Sequence, residues 1–139
     1  MDISPQDTDL IDIAKRLVKR EQIPGGTLGT VASAMRTTTG RVYTGVCMHL
    51  VCGLGFCAEA TAISNAVTNQ KNVVIDTIVA VKDTGIVEPC GRCRELMNVL
   101  SEKGSETWVI MNDHEKVRLS ELLPRAWQPT KKSDAGLEV

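Results

Sequence analysis

Apolar positions recur at two different periods along the chain, and the change from one period to the other marks out its elements. Near the N-terminus Leu10, Ile13, Ala14 and Leu17 follow helical spacing. Ser4-Pro5-Gln6-Asp7 precedes them with the form of a capped start, Pro in the first turn and an acid three residues after the Ser. This predicts a first helix with one face packed on the rest, ended by Pro24-Gly25-Gly26. Residues 28–35 and 41–47 read as two strands around Thr37-Thr38-Thr39-Gly40, a hairpin loop containing Gly. A second helix is expected from Ala58 to about Asn69, with Ala62, Ile63, Ala66 and Val67 as its apolar stripe and Glu59 on that same face.

Ile75 to Val81 is almost continuously apolar, as strands buried on both faces are. A third helix opens at Pro89-Cys90 and carries Cys93, Leu96, Met97 and Leu100 on one side before Lys103-Gly104 closes it. Thr107 to Met111 supplies another strand. Strand, helix and strand within 37 residues form a βαβ unit, so these two strands should be parallel, with a right-handed crossover. Ser120 is expected to cap a short helix through Leu123. Residues 1–127 therefore read as one α/β domain. Residues 128–139 are polar and aperiodic, the pattern of a mobile end.

Composition narrows the function classes. In 139 residues there are 16 basic and 17 acidic side chains, and no basic run exceeds Lys131-Lys132. Such a balance offers no electrostatic footprint for nucleic acid. With 42% hydrophobic residues the chain has enough apolar mass for a core, and its charge content is that of a folded protein. No apolar stretch approaches the roughly 18 residues of a membrane span, and the first residues lack a basic region leading into an apolar one. The expectation is a soluble cytoplasmic protein acting on a small molecule.

Five cysteines change the picture most: Cys47, Cys52 and Cys57 in one segment, Cys90 and Cys93 in another. An odd number cannot close a disulfide framework, and in a reducing cytoplasm clustered thiols are metal ligands or redox catalysts. Three of them sit at predicted helix starts. Cys90 and Cys93, spaced as Cys-x-x-Cys on a first turn, point both sulfurs one way, which suits tetrahedral zinc, and Cys57 supplies a third ligand. Three protein ligands leave a fourth position open, the mark of a catalytic rather than a closed structural site.

Zinc with three thiolates carries one net negative charge, which weakens its effect on a bound water. The two helix N-termini offset this with N–H groups and partial positive charge. Arg92, between two ligands, is the nearby cation expected to support the thiolates. Glu59 would be a costly unpaired carboxylate on a buried face unless it moves protons for a water beside the metal.

Cys57-Ala58-Glu59, followed 33 positions after Cys57 by Pro89-Cys90-Gly91-Arg92-Cys93, resembles the signature of the zinc nucleoside deaminases in the variant with three Cys ligands. Thr44-Gly45-Val46, Val79-Ala80-Val81, Pro89 to Arg94 and Leu122-Leu123-Pro124 also occur in the order found in small cytidine deaminases and blasticidin-S deaminases. The resemblance covers roughly residues 28–127. It implies a three-layer α/β/α fold of cytidine-deaminase type with a mixed central sheet, and one Zn²⁺ per subunit at helix N-termini. The implied activity is hydrolytic release of ammonia from a cytosine-containing nucleoside or an analogue, cytidine-like, deoxycytidine-like or blasticidin S-like.

Residue by residue, Cys57, Cys90 and Cys93 match the ligands and Glu59 the proton shuttle. Cys47, His49, Phe56 and Ala58 fall at the substrate pocket. Trp127 falls where an aromatic residue reaches a neighbouring subunit's base, since small members are commonly tetramers with sites near subunit interfaces. Three departures stand out. Cys47 and His49 occupy positions where cytidine deaminases have Asn and Glu for the ribose hydroxyls, which argues for a substrate other than plain cytidine. Ala60 and Arg92 exchange the usual Arg and Ala, an arrangement shared with blasticidin-S deaminases. Glu88 replaces a small or hydroxylated residue, and so is either turned to solvent or meets a cationic substrate.

Other classes remain open at this point. One is deamination of another amino-heterocycle. A structural zinc would take a fourth ligand from Cys47, His49 or Cys52, and a zinc-stabilised binding module would leave Glu59 without a role. A thiol oxidoreductase would use Cys90 and Cys93 without metal.

Overall fold

A computed structural model describes residues 1–128, so the expected tail lies, apart from Gln128, outside the described residues. In chain order the elements are α1 (Pro5–Lys15), β1 (Glu21–Ile23), β2 (Gly26–Thr37), β3 (Val42–Leu50), α2 (Ala58–Asn69), β4 (Ile75–Lys82), β5 (Gly85–Val87), α3 (Gly91–Val99), β6 (Trp108–Ile110), β7 (Lys116–Arg118) and α4 (Leu119–Leu122). The seven strands form one mixed sheet. β2 pairs antiparallel with β3 along one edge and with β1 and β4 along the other. β4 runs parallel to β6, as the βαβ reading requires, and antiparallel to β5, which follows it in a tight hairpin.

Alternation along the strands explains the three layers. Ala32, Ala34, Val79 and Val81 face α1, where they meet Leu10, Ile11 and Ala14. Met35 and Ile78 face the other way, against Ala62, Ile63 and Ala66 of α2 and Cys93 and Met97 of α3. A sheet covered on both sides has no polar face, which is why β4 is apolar from Ile78 to Val81, with Asp76, Thr77 and Lys82 nearer its ends. Thus the α/β/α expectation holds.

The capped start of α1 is present: the Ser4 hydroxyl accepts from the Asp7 N–H, and the Asp7 carboxylate accepts from the Ser4 N–H. Its end was misplaced by the sequence pattern. α1 stops at Lys15, well before Pro24, because the Lys19 N–H turns away to the Gly29 carbonyl at 2.9 Å and leads into β1. α3 likewise ends at Val99, ahead of Lys103-Gly104, with Gly104 opening a separate 3-10 turn. Ser120 is not a cap but lies within α4, whose N-cap position is Arg118. Val67 is not on the buried stripe of α2: it is 49% exposed. The buried face runs instead through Ala58, Glu59, Ala62, Ile63 and Ala66.

That face is built of small residues because α2 lies almost on β3. A Cβ at Gly45 would sit 2.3 Å from the Ala62 backbone nitrogen, so only Gly permits the approach. On either side of Gly45 the contact is fastened by side chains, the Thr61 hydroxyl donating to the Val46 carbonyl (2.9 Å) and the Asn65 amide to that of Thr44 (3.2 Å). The start of α2 is thereby held in register with β3.

Candidate metal centre

Cys57 and Cys90 are the N-cap residues of α2 and α3, both in extended backbone conformation, and Cys93 is buried in the first turn of α3. Two helix starts therefore converge on one point. The three sulfurs all lie within 4.8 Å of one another, with Cys57 and Cys90 3.5 Å apart. Among the described residues no other Cys, His, Asp or Glu joins this group, so Cys47, His49 and Cys52 do not complete a four-ligand site. The donor set is three soft thiols with one side left open, which fits zinc with one position free of protein.

The position of Cys57 depends on a contact invisible in the sequence pattern. After β3 the chain makes a 3-10 turn (Val51–Gly53) and folds back so that Met48 and Phe56 exchange backbone hydrogen bonds of 3.0 and 3.1 Å. Gly55 makes this possible, since a Cβ there would lie 2.0 Å from the Met48 carbonyl oxygen. Phe56 is thus clamped to β3, and Cys57 emerges beside it at the helix start.

Electrostatics in the cluster favour an added cation. Burial pushes the Cys57 thiol up, and neighbouring Cys90 and Glu59 push it further. Cys93, fully buried, is raised strongly by burial and then by the charges of Glu59 and the other thiols. Cys90 is the exception: burial raises it, but the backbone N–H groups of Cys93 and Arg92 and the neighbouring thiols hold it below the usual range. The Arg92 side chain is exposed, so its backbone rather than its guanidinium acts on Cys90.

Glu59, at the second position of α2, is 5% exposed. Burial pushes its carboxyl above the ordinary value, only partly offset by its own N–H and the Cys93 thiol. A carboxyl of raised proton affinity beside the cleft is suited to moving protons.

A cleft of about 640 Å³ opens on this cluster, lined by Cys57, Ala58, Glu59 and Cys90 and walled by Cys47, His49, Phe56, Val51 and the Gly25-Gly26 turn. Four of the expected pocket residues, Cys47, His49, Phe56 and Ala58, are therefore together. Cys47 is nevertheless tied up: its sulfur accepts from the Val31 N–H at 3.3 Å and lies 3.4 Å from the Thr30 hydroxyl. Those residues belong to the irregularity of β2 between Leu28 and Ala32, so Cys47 satisfies an N–H that the ladder leaves unpaired. Trp127 does not line this cleft; its ring is 55% exposed, and the buried Asn98 amide holds its carbonyl at 3.0 Å.

One residue important to the geometry was missed from sequence. Arg94 donates to the Pro89 carbonyl (2.8 Å) and to that of Leu122 (3.1 Å), which braces the Cys90 segment against α4. The sequence signal was incomplete: a cation near a helix start opposes the helix dipole, but Arg92 shares that feature and is exposed, so the pattern does not single out Arg94.

The family described as the cytidine and deoxycytidylate deaminase zinc-binding region matches residues 4–111. A blasticidin-S deaminase of Bacillus cereus is 34% identical over 136 residues, covering 88% of this chain and 92% of that protein. Among solved structures, the cytidine deaminase of Mycobacterium tuberculosis superposes with a TM-score of 0.76 at 26% identity, over 91% of this chain and all of that one. That of Burkholderia pseudomallei gives 0.71 at 26% identity, over 90% of this chain and 100% of that one. A family match over most of the domain, a relative aligned nearly end to end and a cluster of thiols that fits one zinc ion per subunit all agree: the chain belongs to the cytidine and deoxycytidylate deaminase zinc-binding family.

Proposed function

We propose that this protein hydrolyses the exocyclic amine from a cytosine-containing nucleoside or a related analogue, releasing ammonia, with residues 1–127 as the single catalytic domain. The observation that carries the reading is Glu59: a buried carboxyl with a raised proton affinity, on the cleft side of a three-thiol metal centre. When bound, zinc supplies the Lewis acidity that makes a water molecule nucleophilic at neutral pH. Glu59 accepts the proton this water loses and delivers it to the ring nitrogen next to the amine-bearing carbon. It then passes the second proton to the departing ammonia, so that water is consumed and a carbonyl replaces the amine.

Cys57, Cys90 and Cys93 hold the metal, and the N–H groups of Arg92 and Cys93 favour the thiolate of Cys90. Phe56 and Ala58 flank the base, and His49 stands at the cleft mouth where a sugar or its replacement would lie. Cys47 is a poor partner for a ribose, because it is buried and its sulfur already bonds to β2. This supports an analogue rather than plain cytidine as the preferred substrate.

The experiment is Glu59→Gln on zinc-loaded protein, assayed for ammonia release over aminopyrimidine and aminopurine nucleosides and analogues. The expected result is retained zinc and a kcat lower by about 10²–10⁴-fold. Unchanged turnover would refute the role of Glu59, and cytidine turned over at least as efficiently as every analogue would refute the substrate preference.

The protein is further proposed to act as a cytoplasmic homotetramer in which Trp127 reaches the cleft of a neighbouring subunit, consistent with its exposed ring. A monomeric mass in light scattering would contradict both the assembly and that reach. Among the described residues no helix is long and apolar enough to cross a membrane. Recovery in a membrane or secreted fraction would contradict the cytoplasmic placement.

A further inference from the structure

The cleft contains a carboxylate that the deamination chemistry does not use. Glu88, on the segment between β5 and α3, lines it together with His49, Cys57 and Cys90, and its side chain is 63% exposed. The Arg94 guanidinium lies near it, yet the Nη2 to carboxylate distance is 3.8 Å, outside hydrogen-bond reach. Nε and Nη1 of that guanidinium are engaged by the Pro89 and Leu122 carbonyls. Arg94 therefore holds the segment in place and balances Glu88 only through a long ion pair, which gives the carboxylate no hydrogen bond.

Among the described residues no Lys or Arg lines the cleft, and its carboxylates are Glu59 and Glu88. Zinc with three thiolates adds a further net negative charge beside them. Walls of Gly, Val, Leu and Phe concentrate that field rather than dissipating it. A phosphate entering here would meet negative charge with no Lys or Arg among the lining residues to offset it, whereas a cation would find in Glu88 an acceptor whose ion pair with Arg94, at 3.8 Å, is too long for a hydrogen bond.

Resting on the deaminase reading above, we infer that Glu88 is a specificity-determining residue that accepts a hydrogen bond from a positively charged substituent of the substrate, an ammonium or guanidinium group remote from the amine that leaves. The cleft correspondingly rejects the phosphorylated substrates that a deoxycytidylate deaminase would take.

Three probes that differ only at one end of the sugar test this: 5′-amino-5′-deoxycytidine, cytidine and cytidine 5′-monophosphate. Ammonia release gives kcat/KM for the zinc-loaded full chain and for Glu88→Gln and Glu88→Asp. Calorimetry on Glu59→Gln, with and without Glu88→Gln, gives Kd independently of turnover. The expected order is amino probe over cytidine by about tenfold and cytidine over the monophosphate by at least about tenfold, with the first preference shrinking in about 0.5 M salt. Glu88→Gln should bring the amino probe level with cytidine in both kcat/KM and Kd, and Glu88→Asp should restore part of the preference. Ammonia released without any preference for the amino probe, a preference surviving Glu88→Gln, or the monophosphate as best substrate would overturn the inference and leave the deaminase reading standing. No ammonia and no heat of binding from any probe would overturn both.

Discussion

At one end of β2 the carboxylate of Asp7 is buried without solvent contact, and at the other end three thiols and Glu59 crowd into a cleft. The first cluster is closed. Asp7 accepts from Lys116 Nζ at 2.6 Å, the Ser4 N–H at 2.9 Å and Arg36 Nη2 at 3.2 Å, while Arg36 also reaches Asp76 at 3.0 Å. Burial alone would raise the Asp7 carboxyl, but Lys116, Ser4 and Arg36 reverse this and leave it below its ordinary value. In the second cluster burial raises Glu59, Cys57 and Cys93, and for both cysteines the neighbouring charges are of the same sign and push further. One group of charges is completed by the chain, fastening α1 to β2, β4 and β7. The other gathers thiols and a carboxyl with no cationic side chain among the residues lining the cleft, the donor set that a metal cation completes.

The contrast can be broken from either side. Cys90→Ser should have the largest effect, abolishing bound zinc and activity together, since two sulfurs and a hydroxyl make a poor site; metal analysis of the purified protein against wild type checks it. A variant retaining stoichiometric zinc would remove Cys90 from the ligand set. Asp7→Ala should lower stability by about 3–5 kcal/mol, because Lys116 and Arg36 lose their shared partner in a buried place. The zinc content of the folded fraction should stay unchanged. Urea unfolding followed with metal analysis measures both, and loss of zinc at unchanged stability would refute the division between the clusters.

Gly55→Ala should cost about 1–3 kcal/mol by forcing the Met48–Phe56 pairing apart, and should weaken zinc through displacement of Cys57. Competition with a chromogenic chelator would detect this, and an affinity equal to wild type would show that the pairing does not position the ligand. The smallest effect concerns pH. A carboxyl held low in the folded state contributes stability that is complete above its unfolded value near 3.8 and is lost as pH falls through the lower folded one. Acid unfolding of wild type should therefore steepen below about pH 4. Asp7→Asn should lack that component, and coincident acid transitions would count against it.

Legibility differed between elements for identifiable reasons. α1, α2, α3, β2, β3, β4 and β6 announced themselves because each buries a face, and burial imposes a period on the residues. The strands β1, β5 and β7 went unseen, since none of their residues is buried and each is made by its partner's edge, whereas the equally short β6 buries Val109 and Ile110. Val67 was misread because the apolar stripe of α2 does not reveal how closely the helix would lie on β3, which Gly45 decides. In the site, Cys57, Cys90, Cys93 and Glu59 were readable by residue type and spacing. Cys47 stood in the pocket segment as expected, but its bond to the Val31 N–H belongs to an irregularity in β2 that composition does not encode.

By itself the sequence determined the donor chemistry: two cysteines one helical turn apart at a predicted helix start, a third beside an acid, and near-neutral charge that leaves polyanions aside. These are local facts, fixed by residue type and by the geometry of a helix's first turn. Only the tertiary structure decided that two helix starts 33 residues apart would meet with sulfurs 3.5 Å apart, that Arg94 rather than Arg92 would brace the ligand segment, and that Glu88 would line the cleft. Those outcomes depend on sheet register, on the close approach that Gly45 and Gly55 allow, and on which carbonyls compete for a guanidinium. Such quantities come into being when distant segments pack, and no stretch of the chain carries them alone.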